Sequence, residues 1–183
     1  MQRVIIALAL VGVLVATHFS GARAQALEPQ GLVLTASEVP ANLRVARSET
    51  VSRGGGPGYQ VFFEVADPFR VGDDSIVQVV NVVALPSDPA GGLREFIGNT
   101  QGVFGGLTEQ GPVPVGDESR AYTSSVSVGP FTGSRAVVLF RRGPAVVGVT
   151  VSSTSATAPL GEAVRMAQIV DARLLALSSG AAE

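Results

Sequence analysis

The chain has 183 residues, room for one domain with a real core, and its 46% hydrophobic against 15% charged residues exclude a disordered polymer. All 13 basic residues are arginine and cysteine is absent, so neither a disulfide framework nor a thiolate site exists. A formal net charge of −2 leaves no basic footprint for nucleic acid or an anionic membrane.

The first 24 residues read as a secretory signal peptide. Arg3 is followed by a 13-residue apolar run from Val4 to Ala16 and then by Ala22-Arg23-Ala24, which predicts cleavage before Gln25. The competing reading is a retained membrane anchor, but the run falls short of the roughly 20 apolar residues that span a bilayer. No cysteine follows it, which excludes lipoprotein attachment. The expected mature protein is therefore exported, secreted or periplasmic, with no stable membrane insertion after cleavage. It would carry 11 arginines against 15 acids, a net charge of −4.

In the mature chain, Gln25 to Gln30 is expected to be a flexible leader. Leu32, Leu34, Val39 and Leu43 anchor a short turn or helix at Thr35 to Pro40, with Thr35 or Ser37 available as a cap. Arg44 to Ser52 reads as a peripheral strand, and Gly54 to Gly58 as a flexible loop between strands. Tyr59, Val61, Phe63 and Val65 share one face of the next strand. Ile76 to Leu85 is apolar on both faces and predicts an interior strand.

Asp88-Pro89 begins a helix, Asp as N-cap and Pro at the first helical position. Leu93, Phe96, Ile97 and Thr100 form its stripe, continued by Val103 or Phe104. Gly105 to Gly116 is read as loop and Ser119 to Val128 as strand. Ser134 to Ser153 then predicts a hairpin apolar on both faces, turning at Arg142-Gly143-Pro144-Ala145 and lying inside a sheet with a layer on each side. A second helix from Leu160 to Leu177 carries the stripe Leu160, Ala163, Ala167, Val170, Leu174, Leu177, with Glu162 and Arg173 placed to suit its dipole. The fold class is α+β: a single mainly antiparallel sheet of about six strands with two main helices packed on it. The domain is expected to run from residue 31 to 178, with a flexible tail beyond.

Three segments carry a resemblance. Val115 to Tyr122 (VGDESRAY), the hairpin FRRGPAVVGVTV and the helix EAVRMAQIVDARL together resemble a diffuse group of exported bacterial proteins. These are similar in layout to the PsbP-like fold and to extracellular sensor domains of actinobacterial serine/threonine kinases. This chain departs from the sensor pattern in lacking cysteine and from the group's RRGN hairpin tip in carrying Pro144. The resemblance implies a non-enzymatic module and supplies no catalytic residues.

The sole histidine, His18, lies in the segment expected to be removed, so the mature chain would have no His, Cys, Lys or Trp. Without them no Ser-His-Asp, Cys-His or Ser-Lys system assembles, and zinc, copper and haem lose their usual ligands. No cofactor or metal is expected. Asp67, Asp73 and Asp74 bracket one loop as oxygen ligands would, but without a calcium-loop pattern they read as a solvated turn. Asp117 and Glu118 are adjacent, which points them to opposite faces rather than at one substrate. Gly54 to Gly58 lacks the Lys-Ser/Thr of a phosphate loop, and Pro57 removes a donor.

The remaining binding candidates are Phe62, Phe69 and Phe131, which would make an apolar patch or pocket mouth if they cluster, and Arg141 and Arg142 beside the hairpin turn. The alternative for the phenylalanines is cover by the N-terminal segment, and for the arginines plain solvation. The sequence reads best as an exported, non-enzymatic module binding a small apolar ligand or an envelope protein. A carboxylate-dependent hydrolase and a structural accessory of an envelope complex remain as alternatives.

Overall fold

Short apolar runs with period 2, cut by glycine turns, fold into strands that hydrogen-bond side by side. A computed structural model of the chain describes residues 27–67, 71–128 and 131–180. The expected signal peptide, Phe69 and Gly129-Pro130, whose residue types predict a turn into the hairpin, lie outside them. Strands β1 (Leu43–Arg53), β2 (Gly56–Val65) and β3 (Ile76–Ala84) form one antiparallel meander. Helix α1 (Pro89–Val103) crosses to the far edge of the sheet. There β4 (Thr108–Gly111), β5 (Glu118–Val128), β6 (Phe131–Arg142) and β7 (Ala145–Ser153) form a second meander, followed by helix α2 (Leu160–Gly180). The two meanders join through β3 and β7 into one antiparallel sheet of seven strands, in the order β1-β2-β3-β7-β6-β5-β4.

The β6–β7 hairpin sits where its two apolar faces demand, in the middle of the sheet. Every residue of β7 is buried. Gly143 has φ of 52° and Arg142 pairs with Ala145, so a two-residue turn closes the hairpin with Pro144 in its second central position. The glycine run at 54–58 is tighter than the expected loop. Gly54 and Gly55, at φ of 57° and 75°, make the whole turn, and β2 already begins at Gly56. A Cβ on Gly56 would lie 1.9 Å from the Leu85 carbonyl oxygen, so the strand can start there only as glycine.

Other departures have local causes. The expected loop at 105–116 contains β4, the seventh strand. Its four residues TEQG are polar, so no apolar alternation announces it, and only pairing with β5 makes it a strand. Of the turn or helix expected at Thr35 to Pro40 the structure forms a turn, Thr35–Glu38, while a 3-10 turn at Pro29–Gly31 reaches into the expected leader. Asp88 precedes α1 but makes no capping bond. Its carboxylate lies 4.0 Å from Arg94. α2 runs past Leu177 to Gly180, and Leu177 is exposed. Arg173 does not serve the helix end. Its guanidinium donates to the Val33 carbonyl at 2.6 Å and pairs with Glu38, pinning the N-terminal segment.

The helices lie on opposite faces. On one, Ala163, Met166, Ala167, Val170 and Leu174 of α2 pack on Ala136, Val138, Phe140, Val147, Val149 and Val151. The segment Leu32–Val39 covers the β2–β3 half of this same face, resting on Val61, Phe63 and Val79. Asn81 secures it: its Oδ1 accepts from the Leu34 amide at 2.8 Å and its Nδ2 donates to the Gly148 carbonyl at 3.1 Å. On the other face, Leu93 and Phe96 of α1 pack on Val137, Leu139, Val146, Ala84 and Tyr122. The β2–β3 half of that face has no second covering segment among the described residues. No described helix is long and apolar enough to cross a membrane.

Candidate functional site

Because α1 covers only the β6–β7 side of its face, a cleft of about 370 Å³ opens between the helix and the rest of the sheet. Val80 and Val82 of β3, Leu139 of β6, and Gly148 and Thr150 of β7 form its floor. Phe96, Asn99, Thr100, Val103 and Phe104 form the helix wall, with Gln60 and Arg53 on the open side. The wall follows from helical periodicity. Residues 96, 99, 100 and 103 recur at three and four, so the stripe that seats α1 also lines the cleft. Gly148 fixes the floor, since a Cβ there would meet Val82 Cγ1 at 3.0 Å, Leu139 Cδ2 at 3.3 Å and Phe96 Cε1 at 3.4 Å. Glycine lets the Phe96 ring settle on the sheet.

Of the residues singled out from the sequence, Phe62 stands next to this cleft. It pairs with Val80 in the register and so shares the cleft's face. It is half-buried, but its ring is roofed by the Arg47 guanidinium at 3.8 Å and does not line the opening. Phe131 is placed only as the first residue of β6, opposite Val128. Phe69 lies outside the described residues. A cluster of the three falls outside the described residues, which place the side chain of Phe62 alone.

Arg141 and Arg142 lie elsewhere, around the hairpin turn, and they are not a plain solvated pair. Arg142 holds Asp171 of α2 in a fork, Nε to Oδ1 and Nη2 to Oδ2, both at 2.7 Å. Its Nη1 donates to Asp117 at 2.8 Å, Arg141 reaches the same carboxylate at 3.3 Å, and the Gly143 amide donates to it at 2.8 Å. The knot ties the VGDE turn, the hairpin tip and α2 together. Burial pushes the Asp171 carboxyl up, but the Arg142 fork and the Gly116 amide outweigh it and hold the group below the usual aspartate range. The bonds to Asp171 hold the Arg142 guanidinium above its ordinary value. Asp117 is thus occupied, while Glu118 is exposed beside it.

Asp73 and Asp74 form a turn in which Asp74 has φ of 58°. Among the described residues no three His, Cys, Asp or Glu side chains gather as metal ligands would.

Two features of the site escape sequence reasoning. The cleft exists because α1 leaves half a sheet face open, and nothing local encodes that. Arg135 is the second. Register puts it beside Ser124 and Ser152, its Nε donates to Ser152 Oγ at 3.2 Å, and its guanidinium lies 4.0 Å over the ring of Phe104. An arginine alternating with Ala136 in an apolar strand was the available signal. Set against known protein families, curated proteins and solved structures, the chain matches none.

Proposed function

We propose that the protein is an exported, non-enzymatic module that binds a small apolar molecule in the cleft between α1 and the β3–β7 floor. The observation that carries this reading is the lining. Val80, Val82, Phe96, Val103, Phe104 and Leu139 supply apolar walls, and Gln60, Asn99, Thr100 and Thr150 add a few hydrogen-bonding groups. That is the usual make-up of a small-molecule site, at the lower end of the usual ~300–1,000 Å³. No acid lines the cleft, and Asp117 and Asp171 are held by arginine, which favours binding over carboxylate catalysis. Export rests on the apolar N-terminal run and its small-residue cleavage pattern.

The test uses N-phenylnaphthylamine, a neutral apolar fluorophore whose emission rises on leaving water. Saturable binding is expected for the wild type, and Thr100→Trp, which fills the cleft from the half-buried helix wall, should weaken it at least about tenfold while the circular dichroism stays native. Equal binding by the two proteins would place the probe elsewhere and remove the cleft reading.

A further inference from the structure

We propose that the cleft takes an amphiphilic organic anion, its apolar body on the Val80–Phe104 lining and its carboxylate or phosphate oxygens on Arg135. The inference rests on the binding role of the cleft and names the chemistry of its ligand.

Arg135 is the half-buried arginine that has no carboxylate. Among the described residues Arg47, Arg94, Arg120, Arg141, Arg142, Arg165 and Arg173 each lie within 4.0 Å of an acid, and the other two without one, Arg44 and Arg53, are exposed. Removing a charge from water without a counter-charge is unfavourable, and buried charges are ordinarily paired. Arg135 has instead one neutral hydroxyl, Ser152 Oγ, and an aromatic face. Burial with nothing to offset it holds its guanidinium below the ordinary arginine value. Directly opposite it on β5, the buried Ser124 Oγ has no hydrogen-bond partner. A cation short of an anion and a hydroxyl short of an acceptor thus stand side by side.

The position fits the cleft. Phe104 is a wall residue, and the Arg135 guanidinium lies on that same ring. Thr150, on the floor, is two residues along β7 from Ser152, which Arg135 holds. The guanidinium therefore adjoins the Phe104–Thr150 end of a trough whose lining includes no acid, in contact with the wall through Phe104 and not itself part of the lining. The nearest carboxylate on that row, Glu64, is exposed on β2 and accepts from Gln78 at 3.1 Å. A planar guanidinium matches the two oxygens of a carboxylate or phosphate, and Ser124 can add a donor.

The experiment is calorimetric titration of the intact mature protein with dodecanoate, dodecyl phosphate and dodecanol below their aggregation limits, alongside the fluorophore. At least one anion should bind about tenfold or more tightly than dodecanol, and whichever of the two binds tighter identifies the head group. Arg135→Gln should reduce that anion to the affinity of dodecanol while fluorophore binding persists. Arg135→Lys, which keeps the charge, should retain part of the preference. Dodecanol binding as well as both anions would overturn the ligand class, and an undiminished preference in a folded Arg135→Gln protein would overturn the assignment of the head group to Arg135; either result leaves the apolar cleft standing. Failure of dodecanol and the fluorophore alike would instead remove the cleft reading.

Discussion

The two faces of the sheet are built from the same strands and end in different states. On the α2 face a helix covers β6 and β7, and a second segment, Leu32–Val39, closes the β2–β3 half. Phe63, Val79, Val149 and Val151 beneath them are fully buried. On the α1 face a helix again covers the β6–β7 side, but Phe62, Val80 and Val82 stay half-buried along the open flank. The difference shows where apolar surface is taken into the core and where it stays within reach of solvent. A face sealed by two segments is buried, while a face sealed by one leaves a cleft.

A single charge should separate the faces most sharply. Val149 and Val80 lie on neighbouring strands, one on each face. Val149→Asp places an unpaired carboxylate in the sealed core and is expected to cost more than about 4 kcal/mol, leaving the domain unfolded by circular dichroism. Val80→Asp sits where water can reach it. It should cost about 1–2 kcal/mol in urea melts and keep the fold. Similar losses at both positions would mean that the cleft is closed to solvent.

The α2 face also carries an acid-sensitive fastening with no counterpart on the α1 face among the described residues. Asp171 is held below the usual aspartate range, so its pairing contributes stability fully above its unfolded value near about pH 4. That contribution is lost as pH falls through the lower folded value. Asp171→Asn should therefore lower neutral-pH stability by about 2 kcal/mol and flatten the loss of stability between roughly pH 5 and pH 2. An unchanged acid limb would show that the Arg142 knot is not what fastens α2.

The smallest effect belongs to the rim of the open face. Val103 is 74% exposed on α1 yet borders the cleft. Val103→Ser should change stability by less than about 0.5 kcal/mol and weaken fluorophore binding about threefold. A stability loss larger than the binding loss would mean that Val103 belongs to the core.

The sequence carried most of the fold because most of the fold is local. The hairpin, its turn at Gly143, the apolar β3 and the stripes of both helices follow from period 2, period 3.6 and glycine chemistry, all of which act between near neighbours. β4 was not legible, because four polar residues become a strand only when β5 offers its edge. Asn81 interrupts the apolar run of β3, and its partners Leu34 and Gly148 lie 47 and 67 residues away. Arg141 and Arg142 could be placed at a turn, but their attachment to Asp117 and Asp171 spans 24 and 29 residues.

The candidate site divides the same way. Composition alone determined which chemistry the mature chain would lack, and the N-terminal pattern alone raised the expectation of export. Local pattern placed Phe62 on a strand and Phe96 on a helix. Only tertiary structure decided that α1 would rest on β6 and β7 and leave β3 open. Helix position is fixed by where Leu93 and Phe96 find the deepest packing, above Gly148, and that is a property of four strands brought together from distant parts of the chain. The cleft is what that packing leaves uncovered.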